Sequence, residues 1–467
     1  MANDLSAYFL TNHERHLNEL SEWLSIPSIS SLSAHKKDTV KGAEWIVREL
    51  KRIGMEKVEV YPTQGHPVVY AERLHAKEKP TVLVYGHYDV QPVDPLHLWE
   101  SDPFKPAIRD NKIYARGATD DKGQTFMHLK VVEALLKEHG ELPVNIKFLI
   151  EGEEEIGSIN LPEFVEKNQE LLFTDVIVIS DTGMQEKGQP ALCYGLRGLA
   201  GLQIDVKGAK GDLHSGQFGG AVQNALHALV HLLDSFRNED GVIQVERFYD
   251  KVKDLEDEEK KVHDSLQFSD KELKKELEVN DLAGEKGFST LERMWVRPTL
   301  EINGMWGGYQ GEGLKTVLPN EAHAKITCRL VPDQDPDEII RLLTAHIEAH
   351  TPAGVTVAVT VYDKGAPYVA PYDHPAIQAA GRSYEKIYDV PVQYIRRGGT
   401  IPIVAEFDQI LKKPVVLMGF GLPGENFHAP NEHFHLENFD YGLRVITDYL
   451  QELPKALEKS NDLTQKL

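Results

Sequence analysis

The chain has 467 residues, of which 41% are hydrophobic and 27% charged; that is enough for two or three domains with their own cores and an ordinary globular composition. A formal net charge of −22 argues against a nucleic-acid or anionic-membrane partner, since both need a basic face. The two cysteines, Cys193 and Cys328, cannot build a disulfide framework or a Cys-based zinc site and read as small buried hydrophobes.

The stretch MANDLSAYFLTNHERH has no basic segment followed by an apolar one, so no secretory leader is expected. No apolar run approaches the ~20 residues of a bilayer span, and a cytoplasmic setting is the expectation. Apolar spacing predicts helices over 8–24 and 38–53. KVEVYP and VVYAERL read as strands, and PTVLVYGHYDV (80–90) as a buried strand ending at Gly86. A helix comes next over 122–138, then the strand NIKFLIEG, the helix LPEFVEKNQELL and the strand DVIVISD (175–181). Strands alternating with helices predict an α/β domain with a mostly parallel central sheet flanked by helices.

Near residue 194 the texture changes. GLRGLAGLQIDVKG alternates like an antiparallel strand, AVQNALHALVHLLDSF is helical, and the charge-rich 245–295 reads as solvated helices. PTLEINGMWGGYQGEG and EAHAKITCRLVP read as strands around a glycine-rich loop, with PDEIIRLLTAHIEAH as a helix and VTVAVTVYD as a strand. HPAIQAAGRSYEKIY and PVVLMGFG then return to a helix and an apolar strand. The expected organisation is a first domain in two parts, 1–195 and 372–467, with an α+β domain inserted at 196–371.

The predicted strands of the first domain end in metal-ligating residue types. The strand at 80–86 leads into His87 and Asp89, YARGATDDKG carries Asp120 and Asp121, LIEGEEEIGS carries Glu151, Glu153, Glu154 and Glu155, and VIVIS ends at Asp181. In open α/β sheets, ligands bind beyond the carboxyl ends of the strands. So many carboxylates on one rim need a counter-charge, and two divalent metal ions would supply it. His87 and Asp89 stand two apart, so in extended chain they point the same way and Asp89 can accept the imidazole N–H while the other nitrogen binds metal. Of the adjacent Glu154 and Glu155, one can bind metal while the other takes a proton from water whose pKa the metal lowers toward roughly 7. No His-Glu-x-x-His helix occurs, so a thermolysin-like site is not supported.

GHYDVQP, YARGATDDKG, EGEEEIGS, ISD, DLHSG, LKTVLP, RLVP and FHAPNE, in that order, resemble the co-catalytic di-zinc peptidase family of carnosine and cytosolic dipeptidases, glutamate carboxypeptidases, aminoacylases and succinyl-diaminopimelate desuccinylases. The resemblance spans about residues 10 to 450 and is closest to the dipeptidase branch. It implies that His87, Asp120 and Asp181 hold one metal and Asp120, Glu155 and His428 the other, Asp120 bridging. It makes Glu154 the general base, Asp89 the residue orienting His87, and the Asp120–Asp121 bond cis. His428 alone matches the ligand motif of the C-terminal histidines; His433 and His435 read as structural. In the insert, His214 resembles a histidine lent by the partner subunit to the scissile carbonyl oxygen. Arg329 resembles the clamp for the substrate carboxylate, and Thr316, Gly399 and Thr400 resemble polar substrate contacts, with Thr400 where serine is usual.

The implied protein is a homodimeric metallodipeptidase carrying two Zn2+ ions, or Mn2+, per subunit, with the insert closing over the site. An N-acyl amino acid deacylase would use the same metals and base and differ only in the pocket. A non-catalytic binding protein of the same fold would be expected to lack a ligand or the base, and none is missing.

Overall fold

The computed structural model describes residues 5–75, 78–266 and 268–464. The chain forms two compact units, Met1–Tyr194 with Ala370–Ile395 and Glu406–Leu467, and Gly195–Val369 with Arg396–Ala405. Residues 396–405, read from the sequence as part of the terminal domain, thus cluster with the second unit.

In the first unit the main sheet runs Lys57–Tyr61, Val68–Arg73, Asn145–Glu151, Thr81–His87, Val176–Ile179, Val415–Leu417 and Ala191–Leu196 in spatial order. The three central pairings, from Asn145–Glu151 to Val415–Leu417, are parallel. Antiparallel strands flank them on both sides. Every residue of Asn145–Glu151 and of Val176–Ile179 is buried, which explains why these strands read as continuous apolar runs. Parallel register places the ends of Thr81–His87, Asn145–Glu151 and Val176–Ile179 side by side, with His87 opposite Glu151. One rim therefore collects the residues just beyond each strand.

Helix Lys122–His139 packs on the strand Thr81–His87 and between the helices Ser6–Leu24 and Leu436–Thr464. Its residues 122–135 are all buried, so even its polar members need partners: Lys122 Nζ donates to the carbonyls of Trp23 and Ile26, and His128 Nε2 pairs with Ser180 Oγ at 2.7 Å. Trp23 and Trp45 stack with ring centroids 5.0 Å apart, joining helix Ser6–Leu24 to Lys36–Ile53. The latter helix ends on Gly54 at φ +99°, a left-handed position that suits glycine.

The second unit is built on the antiparallel sheet Thr299–Gly307, Glu321–Leu330, Gly198–Lys207 and Thr356–Gly365. Helices Ala225–Ser235 and Pro336–His350 cover one face, and Leu202, Ile204, Ala324, Ile326, Leu229 and Leu343 fill the core between them. Cys328 is buried in that core and Cys193 in the first unit's sheet, neither of them in a disulfide. Among its described residues the charge-rich stretch holds three short helices, Asp257–Ser265, Asp270–Glu276 and Thr290–Trp295. Among the described residues no helix is long and apolar enough to cross a membrane.

Candidate metal centre

His87 ends its strand fully buried. Its Nδ1 lies 3.0 Å from the carbonyl oxygen of Asp89. A carbonyl only accepts, so Nδ1 carries the hydrogen and Nε2 offers a lone pair. That Nε2 faces Asp120 Oδ1 at 3.2 Å and Asp181 Oδ2 at 4.0 Å. On the other side of Asp120, Oδ2 lies 2.8 Å from His428 Nε2, which is also 3.3 Å from Glu155 Oε2. Two three-residue groups result, His87–Asp120–Asp181 and Asp120–Glu155–His428, each with its ligand atoms within 4.8 Å of one another. They share Asp120 through its two oxygens.

Asp89 acts differently from the simplest sequence expectation. Its carboxylate is 3.4 Å from His87 Nδ1, farther than its own carbonyl. The carboxylate instead accepts the backbone N–H groups of Glu154 at 3.2 Å and Glu155 at 3.1 Å. It thereby fixes the short turn Glu154–Ile156 beyond the strand.

The acidic run sorts itself by hydrogen bonding. Glu151 accepts from Tyr85 OH and Ser158 Oγ, and Glu153 accepts from Asn160 Nδ2 and the backbone of His66. Glu155 Oε2 accepts from Gln91 Nε2 at 2.8 Å, while its buried Oε1 has no partner. No hydrogen bond reaches the Glu154 carboxylate among the described residues. Burial pushes Glu154 and Asp181 well above the ordinary carboxylate range, and neighbouring carboxylates push the same way. Burial also raises Glu155, helped by Asp120. Asp120 goes the other way: although burial opposes it, hydrogen bonds with His428 and His87 hold it below the usual range. His428 is correspondingly raised to about 10, first by Asp120 and then by Glu155. Opposed acceptors, an orphaned buried oxygen and carboxylates driven up by burial and then by one another fit a pair of cations. Imidazole and carboxylate donors fit zinc or manganese among them.

The loop that presents Asp120 is held by a residue the sequence reading passed over. Glu432, fully buried, accepts from Arg116 Nη1 at 2.7 Å and from the backbone N–H groups of Gly117, Thr119 and Asp120. Its neighbour Glu425 accepts from Leu422 N, His435 N and His435 Nδ1. His435 is thus occupied, and His433 Nδ1 bonds the Asn431 carbonyl. Gln91 and Glu432 lie inside the motifs GHYDVQP and FHAPNE, and Glu425 lies two residues before the latter; that adjacency was their only signal. The Asp120–Asp121 peptide is cis.

A third acidic group, Glu19–Glu49–Glu133, is different. Lys130, Arg52 and Arg15 already pair with it. Three carboxylates meet three protein cations, and nothing is left for a metal to neutralise.

The remaining expected residues belong to the second unit. His214 is exposed, and its Nδ1 accepts from Gly216 N at 3.0 Å. Thr316 is exposed, and its carbonyl accepts from Ser215 N. Gly399 is exposed. Half-buried Arg329 donates through Nη1 to Thr400 Oγ1 at 2.7 Å, and Thr400 donates on to the Arg197 carbonyl at 2.6 Å.

The profile described as Peptidase family M20/M25/M40 matches residues 83–452. The chain is 31% identical over 456 residues to the Cys-Gly metallodipeptidase dug1 of Schizosaccharomyces pombe, covering 94% of this chain and 96% of that one. It is 32% identical over 463 residues to the Beta-Ala-His dipeptidase of Homo sapiens, covering 96% and 91%. Among solved structures, the M20 family metallo-carboxypeptidase Sso-CP2 from Sulfolobus solfataricus superposes with a TM-score of 0.87 at 33% identity, over 94% of this chain and 99% of that one.

Proposed function

This chain belongs to peptidase family M20/M25/M40, and from that premise we propose that it hydrolyses dipeptides at a paired metal centre. The observation that carries the reading is the division of Asp120: one oxygen faces His87, with Asp181 near, and the other faces His428, with Glu155 near. Two Zn2+ or Mn2+ ions are the proposed occupants, His87, Asp120 and Asp181 holding one and Asp120, Glu155 and His428 the other. When bound, they supply Lewis acidity to the scissile carbonyl and acidify water.

The chain's own residues do the rest. Glu154, whose carboxylate is not spent on a hydrogen bond, takes the proton of the attacking water and returns it to the leaving amine. Asp89 holds Glu154 and His87 in place through its carboxylate and its carbonyl. By the family resemblance, Arg329 receives the substrate's α-carboxylate, and His214 of a second copy donates to the developing oxyanion. Thr316, Gly399 and Thr400 complete the polar contacts. A homodimer is supported by the edge strand Thr299–Gly307, which exposes Ile302 at 50% and Met305 at 52%.

The test is a substrate panel on protein stripped of metal and reloaded with Zn2+ or Mn2+. Dipeptides are expected to turn over, and N-acetyl and N-succinyl amino acids to lag well behind. Deacylation faster than dipeptide cleavage reassigns the pocket, and no hydrolysis with either metal ends the proposal.

A further inference from the structure

The second unit has a half-open cavity of about 580 Å³ whose wall carries Arg197, Arg237, Arg293, Arg297 and Arg329. Two glutamates, Glu285 and Glu301, share that wall. Arg297 is satisfied by Glu285, with Nε to Oε2 at 2.9 Å and Nη2 to Oε1 at 2.7 Å. Arg237 stands 3.8 Å from Glu301, in a pair that is largely solvated. The other three have no carboxylate partner among the described residues. Arg197 donates to the carbonyls of Gly398, Arg293 and Arg297, Arg293 to that of Phe288, and Arg329 to the Thr400 hydroxyl. Those neutral oxygens satisfy hydrogen bonds but leave the charges uncompensated. Burial, with Arg329 adding repulsion, pulls the Arg197 guanidinium down to about 10. In a chain of net charge −22, a half-buried concentration of positive charge is the exception, and a cavity focuses its field on whatever enters.

We propose that this cavity binds a second carboxylate of the substrate, so that dipeptides ending in glutamate or aspartate are preferred over their amide counterparts. The proposal rests on the reading that Arg329 receives the α-carboxylate; the side-chain carboxylate then falls to Arg293, whose Nη1 and Nη2 make no hydrogen bond among the described residues, with Arg197, its Nε and Nη1 held by carbonyls, adding its charge. The volume admits a side chain of glutamate size, and Glu301 sets a limit by repelling anions from the same wall.

Ala-Glu and Ala-Gln differ in charge at the end of one side chain and separate this idea from mere size. Their kcat/KM values are measured on metal-loaded protein, and their Kd values by calorimetry on the Glu154→Gln variant. Ala-Glu is expected to be favoured by about tenfold or more, expressed in KM and Kd. Arg293→Gln should shrink that ratio, and Glu301→Gln should enlarge it, so two variants of opposite sign bracket the effect even if one folds poorly. Equal kcat/KM and Kd for the two peptides, or a ratio that neither variant moves, overturns the proposal. Tighter binding of Ala-Glu without cleavage of either peptide upholds the cavity and refutes the dipeptidase reading instead.

Discussion

Asp89 Oδ1 accepts the backbone N–H of Glu154 at 3.2 Å. One buried carboxylate beside the strand-end histidine thereby fixes the proposed general base through its main chain, and Oδ2 does the same for Glu155. The side chain of Glu154 is left free to move a proton while its Cα is held.

Replacing Asp89 with asparagine isolates this role. The amide can accept one of the two N–H groups and turns its own N–H toward the other, while the carbonyl contact to His87 persists. Turnover of Asp89→Asn is expected to fall about 10–100-fold, with both metals retained at near-normal stoichiometry. Parallel kcat and metal-content measurements decide it. An unchanged kcat would mean that the carbonyl contact to His87 is sufficient.

The four glutamates of EGEEEIGS should split by function. Glu154→Gln removes the proton acceptor and should reduce kcat by about 10²–10⁴-fold, leaving thermal stability close to the parent. Glu153→Gln should do the reverse. It disturbs the buried bonds from Asn160 and His66, a loss on the order of 1–3 kcal/mol in stability, with turnover largely kept. Melting curves and kcat for the pair check the assignment, and exchanged phenotypes would shift the register by one residue.

What could be read from the sequence depended on distance along the chain. His87, Asp89, Glu154, Glu155 and Asp181 each lie just past an apolar run, and parallel pairing turns strand ends into neighbours, whereas Asp120 comes from the loop before helix Lys122–His139. The hairpin of Lys57–Tyr61 with Val68–Arg73 at the sheet's edge has the same β-branched content as a parallel strand, so its direction was not legible. Glu432 bonds Gly117, Thr119 and Asp120 across more than three hundred residues, a closure no local pattern records. Asp89 shows a finer limit. Spacing put it near His87 but did not say that its carbonyl, rather than its carboxylate, would take the closer contact. The arginine cavity is invisible for a similar reason, since its members come from separate strands, helices and loops.

Acid should attack the first unit at helix Lys122–His139. Burial works to raise Glu133, yet bonds from Arg52, Arg15 and Lys130 overcome it and hold the carboxyl below its ordinary value of 4.5; Tyr8, Glu19 and Glu49 share the cluster. A depressed folded-state pKa means that the unfolded chain binds the proton first. The stabilisation is therefore complete above the ordinary value and is lost as pH falls toward the folded one. Denaturant midpoints between pH 7 and pH 3 should fall more steeply for wild type than for Glu133→Gln. Lys130→Met, which leaves buried carboxylates short of a cation, should cost about 3–5 kcal/mol at pH 7. Parallel curves for wild type and Glu133→Gln would remove Glu133 from the acid response.

The proposed sharing of His214 between subunits has a quantitative signature. His214→Ala and Glu154→Gln homodimers should each be nearly inactive, one lacking the oxyanion donor and the other the base. In a heterodimer the His214→Ala chain keeps its own Glu154 and borrows His214 from its partner, so one site of two is complete. After random exchange of equal amounts, half the dimers are mixed, and activity should recover to about a quarter of the parent value. The exchange is followed with differently tagged chains, so that absence of recovery cannot be blamed on absence of mixing. Verified heterodimers without activity would place His214 and Glu154 in service of the same chain's site, and the proposed trans contact would be withdrawn.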